Sequence, residues 1–320
     1  MKILFTADLH GRPQYYEAMF DLALKESVKA ILIGGDLLPT RIEKPIQLIM
    51  GCFDFNRTLT CQHRFIDEYM MEAFKGFIKR SPDAKIFYIP GNHDWAASIE
   101  YLKKKIPYAI CLHNRIETLD DMVLAGYGCV TDSEFWVKDF VRMDIKKEEI
   151  YAKGRYICLS NKDGITCNKG SDYLRSRPSI EEELTRLRIE NPSKTIFISH
   201  CPPFDTHLDA LFNYKPIGSK AIKKFIEDNA PLISLHGHIH ESPYMSKVFY
   251  QRIGDTIAIN PGQDSHMFHA VMFDSISPEK TLRHTVFGTD SSIRQGILRP
   301  KINRYKAALI AGVVKTIFSR

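Results

Sequence analysis

The chain has 320 residues, 44% of them hydrophobic and 26% charged, with 18 glycines and 16 prolines. That composition can bury a large core in one or two domains, and it excludes general disorder, collagen-like repeats and solenoids. The formal net charge of +6 sits at one end: residues 291–320 hold seven basic residues and no acid, leaving 37 basic against 38 acidic residues in 1–290.

The first apolar run, residues 3–6, predicts a strand. Tyr15, Met19, Leu22 and Ala23 then recur at helical spacing, and residues 30–33 predict a second strand. Ile66, Met70, Phe74 and Phe77 mark another helix before the runs at 85–89 and 122–125. Ser179 and Glu182 form the Ser-x-x-Glu pattern of a capping box that opens a third helix. Runs at 195–199 and 232–235 follow. All six runs are near-continuously apolar, as strands covered on both faces are, and their alternation with helices predicts an α/β layered domain. Beyond His240, strand-like runs at 256–260, 268–274 and 282–287 without helices between them predict that this part completes a second sheet.

Two stretches exceed what such a sheet needs. Residues 39–80 read either as a peripheral helix or as a substrate wall. Residues 132–178 open with the aromatic segment Phe135-Trp136-Val137-Lys138-Asp139-Phe140 and read as a long loop. The domain expectation is therefore a body over 1–290 and a basic tail over 291–320. Within the tail, residues 303–318 can form a helix with Tyr305, Leu309, Val313 and Ile317 on one stripe, ringed by Lys301, Arg304, Lys306 and Lys315. Such a helix either docks on the body or makes weak contact with an anionic membrane surface. The body, at −1, offers little attraction to phosphate backbones, which argues against a nucleic-acid partner.

No apolar stretch approaches the roughly 20 residues that span a bilayer. The opening Met-Lys-Ile-Leu-Phe-Thr-Ala-Asp brings a charge too early for an export signal, so a cytoplasmic location is expected. The cysteines are Cys52, Cys61, Cys111, Cys129, Cys158, Cys167 and Cys201; they are odd in number and never spaced Cys-x-x-Cys, which predicts reduced thiols. Cys201 reads as a buried inert thiol.

Polar clusters come directly after the predicted strands: Asp8 and His10 after the first, Asp36 after the second, Asn92-His93-Asp94 after the third, His200 after the fifth and His236-Gly-His238-Ile-His240 after the sixth. In open α/β sheets the ligand crevice lies outside the carboxyl ends of the strands, so five strand ends carrying metal-type ligands point into one crevice. Gly91 is expected to let the backbone turn sharply before three polar side chains. His238 and His240, two apart in an extended segment, project to one side. His236 reads as a core histidine. The loop of residues 201–209, fixed by Pro202 and Pro203, is a candidate pocket lining, and Asn260-Pro261-Gly262 reads as a structural turn.

Asp8-x-His10, Gly35-Asp36, Gly91-Asn92-His93-Asp94, Ser199-His200 and Gly237-His238-x-His240, in this order, resemble the motif set of the calcineurin-like metallophosphoesterases. The resemblance implies a four-layer α/β/β/α sandwich with mixed sheets and a two-metal site: Asp8, His10 and His240 on one ion, Asn92, His200 and His238 on the other, and Asp36 bridging. It implies His93 as the group that protonates or stabilises the leaving oxygen. Many members carry an acid three positions after the bridging aspartate to orient this histidine; here that position is Pro39, and Asp94 is the candidate replacement. Mixed imidazole and oxygen ligands suit manganese, iron or zinc better than magnesium or calcium. The implied activity is hydrolysis of a phosphodiester or phosphomonoester in a small molecule or nucleotide. The alternatives are a DNA-repair type nuclease, a nucleotide-lipid pyrophosphatase, and a catalytically silent scaffold, which the seven filled ligand positions argue against. Oligomeric state is not legible.

Overall fold

The protein is described by a computed structural model over residues 1–40, 54–133, 135–146, 156–169 and 172–289. The basic tail, with its predicted helix, lies outside the described residues, as does Cys52.

Two six-stranded mixed sheets form the frame. The first is built from β1 (Lys2–Thr6), β2 (Ala30–Gly34), β3 (Lys85–Ile89) and β4 (Ala109–Cys111), parallel and in that spatial order. The second takes β5 (Arg115–Leu119) as an antiparallel edge on β6 (Met122–Tyr127). Next in chain order come β7 (Val130–Thr131) and β8 (Val141–Arg142), which pair with each other, and the hairpin of β9 (Tyr156–Asn161) and β10 (Gly164–Lys169). The second sheet resumes with β11 (Thr195–Ser199) and β12 (Ile233–His236), and ends with β13 (Tyr250–Ile253) antiparallel to β14 (Thr256–Ile259).

The region after His240 does not all complete the second sheet as expected. β15 (Val271–Asp274) crosses back to lie antiparallel against β1, with β16 (Arg283–His284) outside it, and a short helix Pro278–Thr281 separates the two. The register Lys2↔Asp274 is a pairing across almost the whole described chain, which apolarity alone cannot assign to one sheet or the other.

Strand parity sorts the core. Ile3, Phe5, Leu32 and Phe87 of the first sheet share one buried cluster with Leu124, Ile196, Leu235 and Ile257 of the second. Residues of the opposite parity, such as Leu4, Ile31 and Ile86, cluster with Tyr16, Met19, Phe74 and Phe77 of the helices Pro13–Lys25 and Met71–Arg80. In the same cluster Ala125, Phe197 and Ala258 meet Ile222, Phe225 and Ile226 of the helix Lys220–Asn229. Each large core side chain contributes roughly 1.5–3 kcal/mol by burial. This is the mixed α/β class expected.

The helices sit where periodicity placed them. Ile66, Met70, Phe74 and Phe77 are all buried, although the helix passes through a π-turn at Ile66–Met70 between Phe55–Phe65 and Met71–Arg80. Ser179 and Glu182 close the capping box of the helix Ile180–Leu184. The segment expected to be a long loop after residue 132 instead carries β8, the β9–β10 hairpin and a helix, Asp172–Ser176. Reduced thiols are corrected there as well. Cys158 and Cys167 face each other across the hairpin register, 4.1 Å apart at Cα, and form a disulfide, while Cys61, Cys111, Cys129 and Cys201 are free. Hairpin register, not Cys-x-x-Cys spacing, brings that pair together. Among the described residues no helix is long and apolar enough to cross a membrane.

Candidate metal centre

Parallel register aligns the strand ends, so the residues just beyond them meet. β1 and β2 pair Thr6 with Ile33, and the chain continues past both strands hydrogen-bonded: Asp8 N–H donates to Gly35 O (3.0 Å) and His10 N–H to Asp36 O (2.8 Å). On the second sheet β11 and β12 pair Ser199 with His236, one residue before His200 and two before His238. Asp8, His10, Asp36 and His238 all take left-handed backbone, with φ of 59°, 46°, 51° and 68°. Each such residue costs about 1–3 kcal/mol that the surroundings must offset, and clustered strain of this kind marks functional sites.

Three motif glycines let these turns close. A Cβ on Gly35 would meet His200 Nδ1 at 2.4 Å, one on Gly237 would meet Asp8 Oδ2 at 2.8 Å, and one on Gly91 would meet Asp36 Oδ1 at 2.1 Å. Gly91 is not in left-handed backbone. The chain does turn sharply there, with the Asp94 N–H donating to Gly91 O at 3.2 Å, and the close approach to Asp36 is what requires a glycine.

Asp36 lies at the middle of the group. Its Oδ2 is 3.4 Å from His200 Nε2 and 3.7 Å from His10 Nε2, and its Oδ1 accepts the His93 N–H at 2.8 Å. Asp8 Oδ1 is 3.3 Å from His240 Nε2 and 4.0 Å from His200 Nε2, and its carboxylate also accepts the His238 N–H. His10 Nε2 and His240 Nε2 face each other at 3.2 Å, and the rings of His200 and His238 lie 5.2 Å apart. His200 Nδ1 is held by Gly34 O at 2.7 Å, which turns Nε2 into the cluster. Burial pushes the Asp36 carboxyl up, but His200 and His93 more than reverse this and hold it well below the usual carboxylate range. Burial also works against a charged His200, yet Asp36 lifts it to about 9. At His238 burial prevails and holds the imidazole neutral.

Asp8, His10, Asp36 and His240 each offer a ligand atom, all within 4.8 Å of one another, so this group could hold a metal ion. Asn92 Oδ1 and His200 Nε2 are buried polar atoms with no hydrogen-bond partner among the described residues. An unpaired buried acceptor such as Asn92 Oδ1 costs about 1–3 kcal/mol, and a cation would relieve it.

Asp94 does something other than orient His93. Its buried carboxylate accepts N–H groups from Leu37 (3.2 Å), Leu38 (2.8 Å) and Gly91 (2.9 Å), clamping the chain beyond β2 to that beyond β3. His93 Nδ1 instead meets Thr40 Oγ1 at 2.8 Å. His236 is a core residue, its ring bonded to Ser199 O, Cys201 O and Ser234 Oγ. Cys201 is fully buried, and burial pushes its thiol far up, as suits an inert group.

Several supports are not apparent from the sequence. Asn260 Nδ2 donates to the carbonyls of Leu208, Gly237 and Ile239 and so fixes the turn that carries His238 and His240. Gln263 joins His240 O to Ala7 O across the two sheets. Gln62, 1% exposed, donates to Pro39 O and His93 O and accepts from Trp95 N–H. The buried positions of its helix are Thr58 and Gln62, polar residues on an inner face.

A family model described as calcineurin-like phosphoesterase matches residues 1–242, three quarters of the chain and every strand end described above. The chain belongs to the calcineurin-like phosphoesterase family. This calcineurin-like phosphoesterase is accordingly an enzyme, a hydrolase of phosphoester bonds. One solved structure aligns at a TM-score of 0.51 with 15% identity, covering 88% of this chain and 97% of that chain, a likeness that speaks for the fold alone. TT1561 of Thermus thermophilus aligns at 0.47 with 17% identity over 92% and 99% of the two chains. A dimetal phosphatase from Danio rerio aligns at 0.42 with 11% identity over 85% and 92%. No curated protein matches the sequence.

Proposed function

We propose that this calcineurin-like phosphoesterase binds two divalent transition metals and hydrolyses a small phosphodiester or phosphomonoester. Asp8, His10 and His240 hold one ion, Asn92, His200 and His238 the other, and Asp36 bridges. The observation that carries this reading is the placement of Asp36 Oδ2 between two imidazoles, His10 Nε2 at 3.7 Å and His200 Nε2 at 3.4 Å. The orphaned Asn92 Oδ1, assigned to the same ligand set as His200, supports the second ion. Imidazole with carboxylate and amide oxygens suits manganese, iron or zinc.

When bound, a divalent pair supplies Lewis-acid charge that polarises phosphoryl oxygens and acidifies the attacking water. The chain's own residues do the rest. Asp36 offsets the repulsion of two cations, and the His93 N–H holds its carboxylate in place. His93, bonded through its backbone N–H to Asp36 and confined by the rings of Phe135 (4.3 Å, stacked) and His10 (4.9 Å, edge-on), donates to the leaving oxygen. General-acid help of this kind contributes about 10²–10⁴-fold. The neutral body argues for small phosphoesters over nucleic acid.

The test is a manganese-supplemented screen of the purified protein across phosphomonoesters, cyclic nucleotides, dinucleotides and single-stranded DNA. Turnover of a small phosphoester that disappears with chelator supports the reading. Turnover confined to DNA, or none with any phosphoester, overturns it.

A further inference from the structure

Pro39 stands where an orienting acid was expected, yet the imidazole of His93 has a partner. Thr40 Oγ1 lies 2.8 Å from His93 Nδ1. Because the two ring nitrogens sit on opposite edges of the imidazole, engaging Nδ1 reserves Nε2 for substrate. The contact is supported from both sides. Gln62 Nε2 donates to Pro39 O at 3.3 Å and to His93 O at 2.9 Å, while its Oε1 accepts the Trp95 N–H at 3.1 Å. One buried amide therefore stitches the segment carrying Thr40 to the segment carrying His93. Asp94 adds a second stitch through the N–H groups of Leu37, Leu38 and Gly91. Phe135 stacks on the ring at 4.3 Å, so rotation about the side chain is limited on that face.

We propose that Thr40 is the positioning residue of His93, a hydroxyl doing at Nδ1 what a carboxylate would otherwise do. The inference rests on the reading of His93 as proton donor. In the step it serves, the bond from water oxygen to phosphorus forms while the bond from phosphorus to the leaving oxygen breaks. The proton on His93 Nε2 passes to that leaving oxygen. The Nδ1–H remains on the ring and donates to Thr40 Oγ1, so orientation survives the transfer. The proton lost by the attacking water replaces the one on Nε2 through solvent.

A hydroxyl also explains why the 39–80 stretch is more than packing. The helix Phe55–Phe65 spends its two buried positions on polar side chains, Thr58 and Gln62. Gln62 holds the two loops together, and Thr58 Oγ1 accepts the Trp95 Nε1–H at 2.9 Å. That inner face is built to register the loop ends of β2 and β3.

The experiment uses the full chain loaded with manganese and a series of aryl phosphate esters from p-nitrophenyl to phenyl. Thr40→Val keeps shape and removes the hydroxyl, Thr40→Ser restores it, and each is combined with His93→Asn. The expected result is a kcat loss for Thr40→Val of roughly ten- to a hundredfold on the phenyl ester, since small misplacements of a catalytic group carry losses of this order. The loss is smaller on the nitrophenyl ester, KM is unchanged, and Thr40→Ser recovers most of the activity. In the His93→Asn background Thr40→Val has no further effect. Equal losses across the ester series, or an undiminished loss in the His93→Asn background, overturn the role of Thr40 while leaving His93 intact. Full activity of His93→Asn on the phenyl ester overturns the reading of His93 itself, and Thr40's role with it.

Discussion

Replacing Gly91 by alanine tests whether the third strand end is shaped around the Asp36 carboxylate. The new Cβ would lie 2.1 Å from Asp36 Oδ1, 2.4 Å from its backbone nitrogen and 2.7 Å from its Cγ. Unbonded carbon atoms rest about 3.5–4.0 Å apart and oxygen only slightly closer, so the carboxylate must withdraw by roughly 1 Å. It has nowhere easy to go, because Asp36 is 1% exposed and its Oδ1 also accepts the His93 N–H. Overpacking of this kind typically costs about 1–3 kcal/mol of stability, and a 1 Å displacement at a reacting centre costs on the order of 10²-fold in rate. The assay compares melting temperature, manganese bound per chain and turnover of an aryl phosphate for Gly91→Ala and Gly76→Ala. Gly76 lies in the helix Met71–Arg80 with nothing within 4 Å of a built Cβ, so its alanine variant should gain about 0.5–1 kcal/mol and keep full activity. A Gly91→Ala protein with unchanged metal content and turnover would refute the close-approach argument.

Two further outcomes concern groups away from the centre. His284 is 1% exposed, accepts the N–H groups of Val286 and Phe287 at Nδ1, and burial together with His269 lowers it to about 3. Its folded value lies below the unfolded value near 6.5, so the unfolded chain takes up the proton first. Its contribution is fully present above about pH 6.5 and is lost toward pH 3, at about 1.4 kcal/mol per pH unit. Urea midpoints measured from pH 7 to 4 should fall more gently for His284→Asn than for the natural chain, and parallel slopes would contradict the assignment. The Cys158–Cys167 disulfide closes a loop of sequence separation 9, for which chain entropy gives about 2–3 kcal/mol. Dithiothreitol should therefore lower the urea midpoint of the natural chain but not that of a Cys158→Ser, Cys167→Ser double variant; equal midpoints with and without reductant would exclude the stabilisation.

Much of the centre was legible because its information is local. A buried strand announces itself by a continuous apolar run, and in an α/β sheet the residues just after such a run lie at the crevice. The sequence alone thus places Asp8, Asp36, His200 and His238 at one crevice. The features that escaped the sequence depend on contacts between distant segments. The disulfide needs the register of a hairpin hidden in a charged stretch. The split of the last strands needs Lys2 opposite Asp274. For the partner of His93 the sequence points to an acid three positions beyond Asp36 or to Asp94, whereas Thr40, one residue past Pro39, meets its Nδ1 and Asp94 clamps the backbone. The sequence suggests backbone freedom at Gly91, whereas its missing Cβ is what the close approach to Asp36 requires.

The central claim is that Asp36 is shared by two metal ions. Elemental analysis of the manganese-loaded protein, run beside Asp36→Asn with turnover measured on the same samples, tests it most directly. The account predicts two ions per chain in the natural protein, and in the variant loss of the pair with turnover down by orders of magnitude while the melting transition persists. Two ions per chain and undiminished turnover in Asp36→Asn would contradict it.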